Sequence, residues 1–541
     1  MAQNSPEQRS NPLSSLSFDW NGNSPLECSD ANVSACLKNL DRPVYILHNN
    51  DQCAVSSEGS MVSDEHPWKV TGFAPALQPE MLGDPLFRQT YGLRYPLYGG
   101  AMANGIASES FVIALGEAGF MGSYGAGGML PARIEKAIHT IQEALKEKPF
   151  AFNLINSPFE PAMEQRAAEL YINNGVRVIE ASAYLTLTTN LVWYRAAGLT
   201  RLPDGSIFIG NKVIAKVSRK EVAAKFLAPA SADILAQLES EGKITPEQAA
   251  LARMVPMADD ITVEADSGGH TDNRPLVGIL PSIIKLRDTY QKKFGYPQQV
   301  RIGAAGGIST PASALAAFSM GAAFVVTGSV NQACIESGAS DHARNLLSQM
   351  EITDVAMAPA SDMFEMGVKV QVLKRGTMFA MRAQKLYELY QRYDSVDSIP
   401  APEREKLETA VFKRSLDSVW DECVKFFSER DPRQVERGTK NPKDKMALIF
   451  RWYLGLSSRW SNAGEKGREM DYQIWCGPSM GAFNDWVRGS YLEDPLNRRA
   501  ADVACQILTG AAYLQRLRML ESQGIRFSPQ EQEYVPEKAL I

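Results

Sequence analysis

At 541 residues the chain is too long for one ordinary domain, although an α/β barrel takes about 250 residues as a single unit. Hydrophobic residues make up 45% of it, enough for a large core, and the formal net charge is -6. That balance gives no long-range attraction for nucleic acid or an anionic membrane surface, so polyanion binding is excluded as a function class.

The first 16 residues are polar and rich in Ser, Asn and Pro. They lack the apolar core of a secretory signal, so export is not expected. Residues 17–60 hold short strand-like runs at 42–48 and 53–56, separated by Asn49, Asn50 and Asp51, which predicts a small β-rich N-terminal module within residues 1–88. From about residue 90, apolar runs at 95–101, 119–124, 150–155, 176–181, 212–217, 261–266, 300–305 and 322–327 alternate with helical patterns at 107–117, 131–147, 160–173, 185–197, 219–227, 276–293 and 311–319. Strand-then-helix alternation demands right-handed crossovers and a parallel sheet. Eight such units over residues 89–340 predict an α/β fold, a closed (β/α)8 TIM barrel; an open doubly wound sheet is the alternative.

Two insertions interrupt the rhythm. Pro203-Asp204-Gly205 marks a hairpin before the fifth strand, and Thr245-Pro246-Glu247 starts a helix within an insertion at 228–258 after it. The most apolar stretch, 314–330, is broken by Ser319, Gly321, Thr327 and Gly328, so it reads as a helix, a turn and a buried strand rather than a membrane span. After residue 340 the strand rhythm stops, and amphipathic patterns at 341–350, 376–394, 403–429, 442–455 and 498–524 predict a mostly helical C-terminal domain over 341–541. The aromatics of 472–491 (Tyr472, Trp475, Phe483, Trp486, Tyr491) read as its core rather than as a binding platform.

Seven cysteines (Cys28, Cys36, Cys53, Cys334, Cys423, Cys476, Cys505) are scattered, without a Cys-x-x-Cys pair. A reducing cytoplasm fits this pattern. The five histidines are dispersed as well, and no metal site is predicted.

Barrel active sites form at the C-terminal ends of the strands. The first strand ends in Gly99-Gly100-Ala101-Met102, where a flat ligand can approach backbone amides; the third ends at Asn153 with Asn156-Ser157-Pro158 following, offering amide groups to a ring edge. Lys216 sits inside an apolar fifth strand, where its ammonium must either snorkel out or pair with an anionic ligand. The seventh and eighth strands end in Gly306-Gly307-Ile308 and Gly328-Ser329. Their backbone N–H groups form a phosphate grip at the position usual for this fold. A phosphate there, a ring edge near Gly99–Met102 and Asn153, and Lys216 across the mouth point to flavin mononucleotide. The sixth strand then presents Ser267-Gly268-Gly269-His270 on a loop, with His270 either giving a proton to a substrate or hydrogen-bonding the cofactor.

These residues resemble the FMN-dependent nitronate monooxygenase (2-nitropropane dioxygenase) and bacterial flavin enoyl reductase superfamily. Within it, Glu264-Ala-Asp-Ser-Gly-Gly-His-Thr-Asp-Asn-Arg-Pro275, the run 353–367 and Ile474-Trp-Cys-Gly-Pro-Ser-Met-Gly-Ala-Phe483 are similar to the PfaD-type trans-acting enoyl reductase of polyunsaturated fatty acid and polyketide synthases, over residues 65–525. The resemblance implies that NADPH (or NADH) reduces FMN, which passes hydride to a trans-2-enoyl thioester on acyl carrier protein, with His270 as the catalytic residue. It also implies flavin contacts from Asp266, Ser267, Gly268 and Gly269 beside the glycine pairs, Ala101, Met102, Asn153, Lys216 and Ser329. A homodimer is left open. Unlike simple nitronate monooxygenases, the chain adds about 200 helical residues after the barrel, and Met357, Met363, Met366 and Met378 there are candidates to enclose an acyl chain or dock a carrier protein. The alternatives are a nitronate monooxygenase with His270 as base and a flavin-bearing scaffold subunit. An inosine-monophosphate-dehydrogenase-like barrel is disfavoured, since the loop after the sixth strand holds no cysteine nucleophile.

Overall fold

The structure, a computed structural model, describes residues 18–23, 26–50, 52–156 and 161–541, apart from the side chains of 429 and 430. Most of the polar tail, with Ser157 and Pro158, lies outside the described residues. Eight apolar runs, buried on both faces as parallel strands require, form β1 (Leu97–Gly99), β2 (Met121–Tyr124), β3 (Ala151–Ile155), β4 (Val178–Ser182), β5 (Lys212–Val217), β6 (Asp260–Glu264), β7 (Arg301–Ala305) and β8 (Val325–Thr327). Each overlaps one predicted run. They close in chain order into a parallel barrel, with β8 returning to β1 through Val325↔Leu97 and β5 meeting β6 through Ala215↔Ile261. The protein is therefore an α/β TIM barrel with a mostly helical region after it.

The N-terminal end of the barrel is covered by the helix Pro85–Tyr91. Asp84 caps it by accepting from Leu86 N at 2.8 Å, and Pro85 occupies a first-turn position where its missing N–H costs nothing. Phe87 on this helix stacks on Phe324, ring centroids 4.1 Å apart, at the start of β8. Both insertions form as predicted: a hairpin of Leu199–Arg201 with Ile207–Ile209, then the helices Ala232–Ser240 and Pro246–Ala252, the latter opened by a Thr245–Gln248 capping box.

Strands do not cease after residue 340. Val355–Pro359 and Lys369–Leu373 pair antiparallel as a ribbon, and the ribbon's second strand also pairs with Gly269–His270. The predicted helix at 403–429 is also interrupted: a π-helical turn Leu407–Phe412 ends at Lys413 (φ 59), and a new helix, Leu416–Arg430, starts behind the Ser415 cap. The helix Pro442–Ala463 runs further than predicted and stops at Gly464, whose φ of 66 suits a residue without a Cβ. Phe364, Phe379, Leu386, Phe412, Phe450 and Tyr453 share one apolar core in this region.

Two compact units emerge: residues 82–507 with 536–541, and residues up to Met81 with Leu508–Val535. In the smaller unit, a five-stranded antiparallel sheet centres on Val44–Asn49 and Lys69–Ala74. The buried guanidinium of Arg516 there donates to the carbonyls of Leu37, Asn39 and Arg42 at 3.0, 2.8 and 2.7 Å. Among the described residues, no helix is long and apolar enough to cross a membrane.

Candidate functional site

The C-terminal ends of the strands open into a cavity of about 620 Å³, within the range of small-molecule sites. Gly100, Ala101 and Met102 line it at the end of β1. Gly99 does not: a Cβ there would stand 2.4 Å from Phe111 and 2.5 Å from Leu115, so its missing side chain lets a barrel helix pack close. Asn153, on β3, lines the cavity with its amide nitrogen already committed, donating to Glu180 O and Ser182 Oγ, each at 3.0 Å. Its carbonyl oxygen is the group left for a ligand.

Lys216 follows neither course predicted for it. β5 lies between β4 and β6, so a cation near its end reaches carboxylates on both neighbours: Glu180 Oε1 at 3.2 Å and Glu264 Oε1 at 3.5 Å. Burial works against the ammonium, but Glu264 and Glu180 outweigh it and hold the lysine above its ordinary pKa. Glu180 is fully buried and also accepts from Ala101 N at 3.1 Å, which ties the charge cluster to the β1 loop. Lys216 still lines the cavity, with an ammonium the protein itself has partnered.

Across the mouth, Gly306, Gly307, Gly328 and Ser329 form one wall. At Gly306 and Gly307 φ is 78 and 79, a conformation that excludes most side chains. At Gly307 and Gly328 nothing lies within 4 Å of where a Cβ would be, so the backbone is bare toward open space. Ser329 Oγ accepts from Gly477 N at 3.0 Å.

The loop after β6 brings Ser267, Gly268, Gly269 and His270 to the cavity. Its Asp266 stays out of the lining and acts as an anchor, accepting from Asn273 Nδ2 at 2.8 Å and Gln371 Nε2 at 3.0 Å. At the far end of the loop, hydrogen bonds from Arg219 pin Asp272 and lower its pKa to about 2. His270 exposes 42% of its side chain and meets Asp362 Oδ1 at 3.2 Å through Nε2. Burial of the ring opposes its charge, yet Asp362 outweighs that and holds the His270 pKa above its ordinary value.

Sequence reasoning missed Glu180, Glu264 and Asp362 as members of the site. It expected the region after the barrel to help enclose a ligand but missed the residues of this roof, where Cys423, Phe426 and Phe427 of the helix Leu416–Arg430 and Leu448, Arg451 and Leu456 of Pro442–Ala463 line the same cavity. Of the four methionines expected to enclose a ligand, only Met363 lines it; Met102, Met129 and Met163 do so instead. Tyr472 and Phe483 are core residues as expected, whereas Trp475 reaches the cavity.

Comparison with known proteins places this geometry in a family. The nitronate monooxygenase family model matches residues 86–391. A second model, the inserted helical domain of [acyl-carrier-protein] S-malonyltransferase, matches residues 393–472. The chain is 50% identical over 496 residues to a polyunsaturated fatty acid synthase subunit of Thraustochytrium sp., a match that covers 90% of this chain and 33% of that protein. It is 46% identical over 441 residues to the polyketide biosynthesis protein PksE of Bacillus subtilis, covering 81% and 57% respectively. It thus spans a third to somewhat over half of these relatives. The crystal structure of the enoyl reductase domain of MlnA, from the macrolactin biosynthesis cluster of Bacillus amyloliquefaciens, superposes with a TM-score of 0.78 at 39% identity, over 82% of this chain and 99% of that one. With a family model matched over more than half its length, the chain belongs to the nitronate monooxygenase family.

Proposed function

We propose that the protein is an FMN-dependent enoyl reductase that reduces trans-2-enoyl thioesters on acyl carrier protein, with NADPH as hydride donor, in polyunsaturated fatty acid or polyketide synthesis. The observation that carries this reading is one cavity that joins a bare glycine wall, His270 and an apolar roof. The residues fit the cofactor. A side chain at Gly307 or Gly328 would project into open space beside a wall of backbone, which suits a phosphate. Asn153 Oδ1 is an acceptor for a ring N–H, and Lys216 keeps a third N–H beyond its two carboxylates for a ring oxygen. When bound, FMN would take hydride from the nicotinamide and supply it to the β-carbon of the enoyl group.

The chain's own residues then orient, exclude water and move a proton. Phe426, Phe427, Leu448 and Leu456 give an acyl chain apolar surface. His270, whose imidazolium form Asp362 favours, is the donor for the α-carbon. Relatives named as synthase subunits and an enoyl reductase domain support the reaction class, and the match of residues 393–472 to the inserted helical domain of [acyl-carrier-protein] S-malonyltransferase, an enzyme of carrier-bound substrates by its name, supports the carrier-bound substrate.

The test is anaerobic reduction of the flavin-loaded protein by NADPH, followed by an enoyl thioester on carrier protein. Prompt flavin reoxidation with formation of the saturated thioester is the expected result. Reoxidation only by oxygen with a nitronate would replace the reading with a monooxygenase, and failure of NADPH to reduce the flavin would favour a scaffold subunit.

A further inference from the structure

The His270 loop leaves β6 of the barrel, yet its shape is set by residues that come after the barrel. Gly269 and His270 pair with Gln371 and Val370 of the ribbon. The buried Gln371 side chain donates to Asp266 Oδ1 at 3.0 Å and Ser267 O at 2.8 Å. Asp362 meets His270 Nε2 from the turn between the ribbon's strands. That turn is held in its own right by the roof helix Pro442–Ala463, whose Arg451 donates from Nε to Ser361 O at 2.9 Å and from Nη1 to Glu365 Oε1 at 3.1 Å. The histidine is therefore gripped on its Nε2 edge by a turn that the roof helix keeps in place.

We propose that Asp362 is the positioning residue for His270: it holds the imidazole by Nε2, so that Nδ1 is the nitrogen that delivers a proton to the substrate α-carbon. This rests on His270 serving as the proton donor of the proposed reaction. The electron balance is simple. Hydride arriving at the β-carbon displaces the double-bond pair onto the α-carbon; that pair takes the Nδ1 proton, and the N–H bonding pair stays on the ring. The neutral ring keeps its Nε2–H against Asp362, which fixes one tautomer until solvent restores the second proton.

The charged groups around the ring agree with this role. Asp362 faces it from the turn and Glu264 from the end of β6, both favouring the imidazolium. Arg451 acts on Asp362 from the roof, and Lys216 acts on Glu264 from β5. Asp362 exposes 53% of its side chain, so water screens the pair until a ligand fills the cavity.

The experiment is an NMR titration of the histidine ring signals in the full chain, with His270→Gln assigning the resonance, compared across wild type, Asp362→Asn and Asp362→Glu. Asp362→Asn should lower the His270 midpoint by roughly 0.5 to 1 pH unit, and Asp362→Glu should restore most of it. In the same variants, the alkaline limb of flavin reoxidation by enoyl thioester should move down with the midpoint. Flavin reduction by NADPH should keep its pH profile. A midpoint that stays put in a variant with wild-type thermal stability overturns the proposal, as does a reoxidation limb that fails to follow the midpoint. If wild type turns over no enoyl thioester, the proposed reaction falls; the ring titration, which needs no substrate, still decides whether Asp362 holds His270.

Discussion

At the N-terminal end of the barrel, Arg301 opens β7 and Asp260 opens β6, and the two meet at 2.6 and 2.8 Å through a bidentate pair; at the C-terminal end, Lys216 faces both Glu180 and Glu264 at 3.2 and 3.5 Å. Both clusters are largely buried. They differ in stoichiometry. Below, one cation meets one carboxylate, and the Tyr91 hydroxyl adds a 2.5 Å donation to Asp260. Arg195 repeats the pattern nearby with Asp259 at 2.7 Å and the Pro256 and Asn211 carbonyls. Above, one ammonium is shared by two carboxylates beside a cavity. A buried charge cluster whose pairs are closed holds no charge in reserve for a ligand, and removing one partner leaves the other buried alone. One whose pairs are incomplete is poised to answer a ligand, which is why the open stoichiometry sits where barrels keep their active sites.

Breaking the closed pair should have the largest effect. Arg301→Met leaves the fully buried Asp260 with the Tyr91 hydroxyl alone, and loss of one partner of a buried pair costs about 3–5 kcal/mol. The free energy from chemical denaturation should fall by that amount, with much of it recovered in Arg301→Met/Asp260→Leu. A single variant as stable as wild type would break the contrast between the ends. Lys216→Met should cost less, roughly 1–2 kcal/mol at pH 7, because Glu264 is partly exposed to the cavity and its charge is screened. Its signature is the cofactor: with the ammonium gone from the cavity wall, flavin retention on gel filtration should fall below wild type. Retention equal to wild type would show that Lys216 serves its two carboxylates alone.

The barrel was legible because each strand is an apolar run and each helix has its own period, both local signals. The glycine wall was legible for the same reason: Gly306-Gly307 and Gly328 advertise a bare backbone within a few residues. What was not legible depends on neighbours made by closure. Lys216 looked like a cation in search of a ligand, because its partners lie on the strands at either side and only the parallel register brings them together. Glu180, the lone charge in the run Val-Ile-Glu-Ala-Ser of β4, was the available hint, since a charge in a fully buried strand needs a partner. Nothing local could have linked Asp362 to His270. Their contact follows from a ribbon of five-residue strands whose first strand has no clear alternation and whose second pairs with only two residues of the loop.

What covers each end sharpens the contrast further, with a smaller expected effect. The helix Pro85–Tyr91 packs Phe87 directly against Phe324 below. The roof above instead leaves a space that Phe426, 42% exposed, borders together with Met163 and Glu422, and the same three residues line an adjoining cavity of about 680 Å³. If an acyl chain runs under this roof, Phe426 contributes apolar area to it in proportion to the chain buried there. Each methylene that loses burial costs about 0.8 kcal/mol, close to fourfold in binding. Phe426→Ala should therefore raise KM several-fold for long enoyl thioesters and leave a short one nearly unchanged. The thermal midpoint should move little, because the ring is already half in solvent. Equal losses for short and long substrates would make Phe426 a support of the helix Leu416–Arg430 rather than a wall of the channel, and would return the long-chain reading of the roof to the helices' own packing.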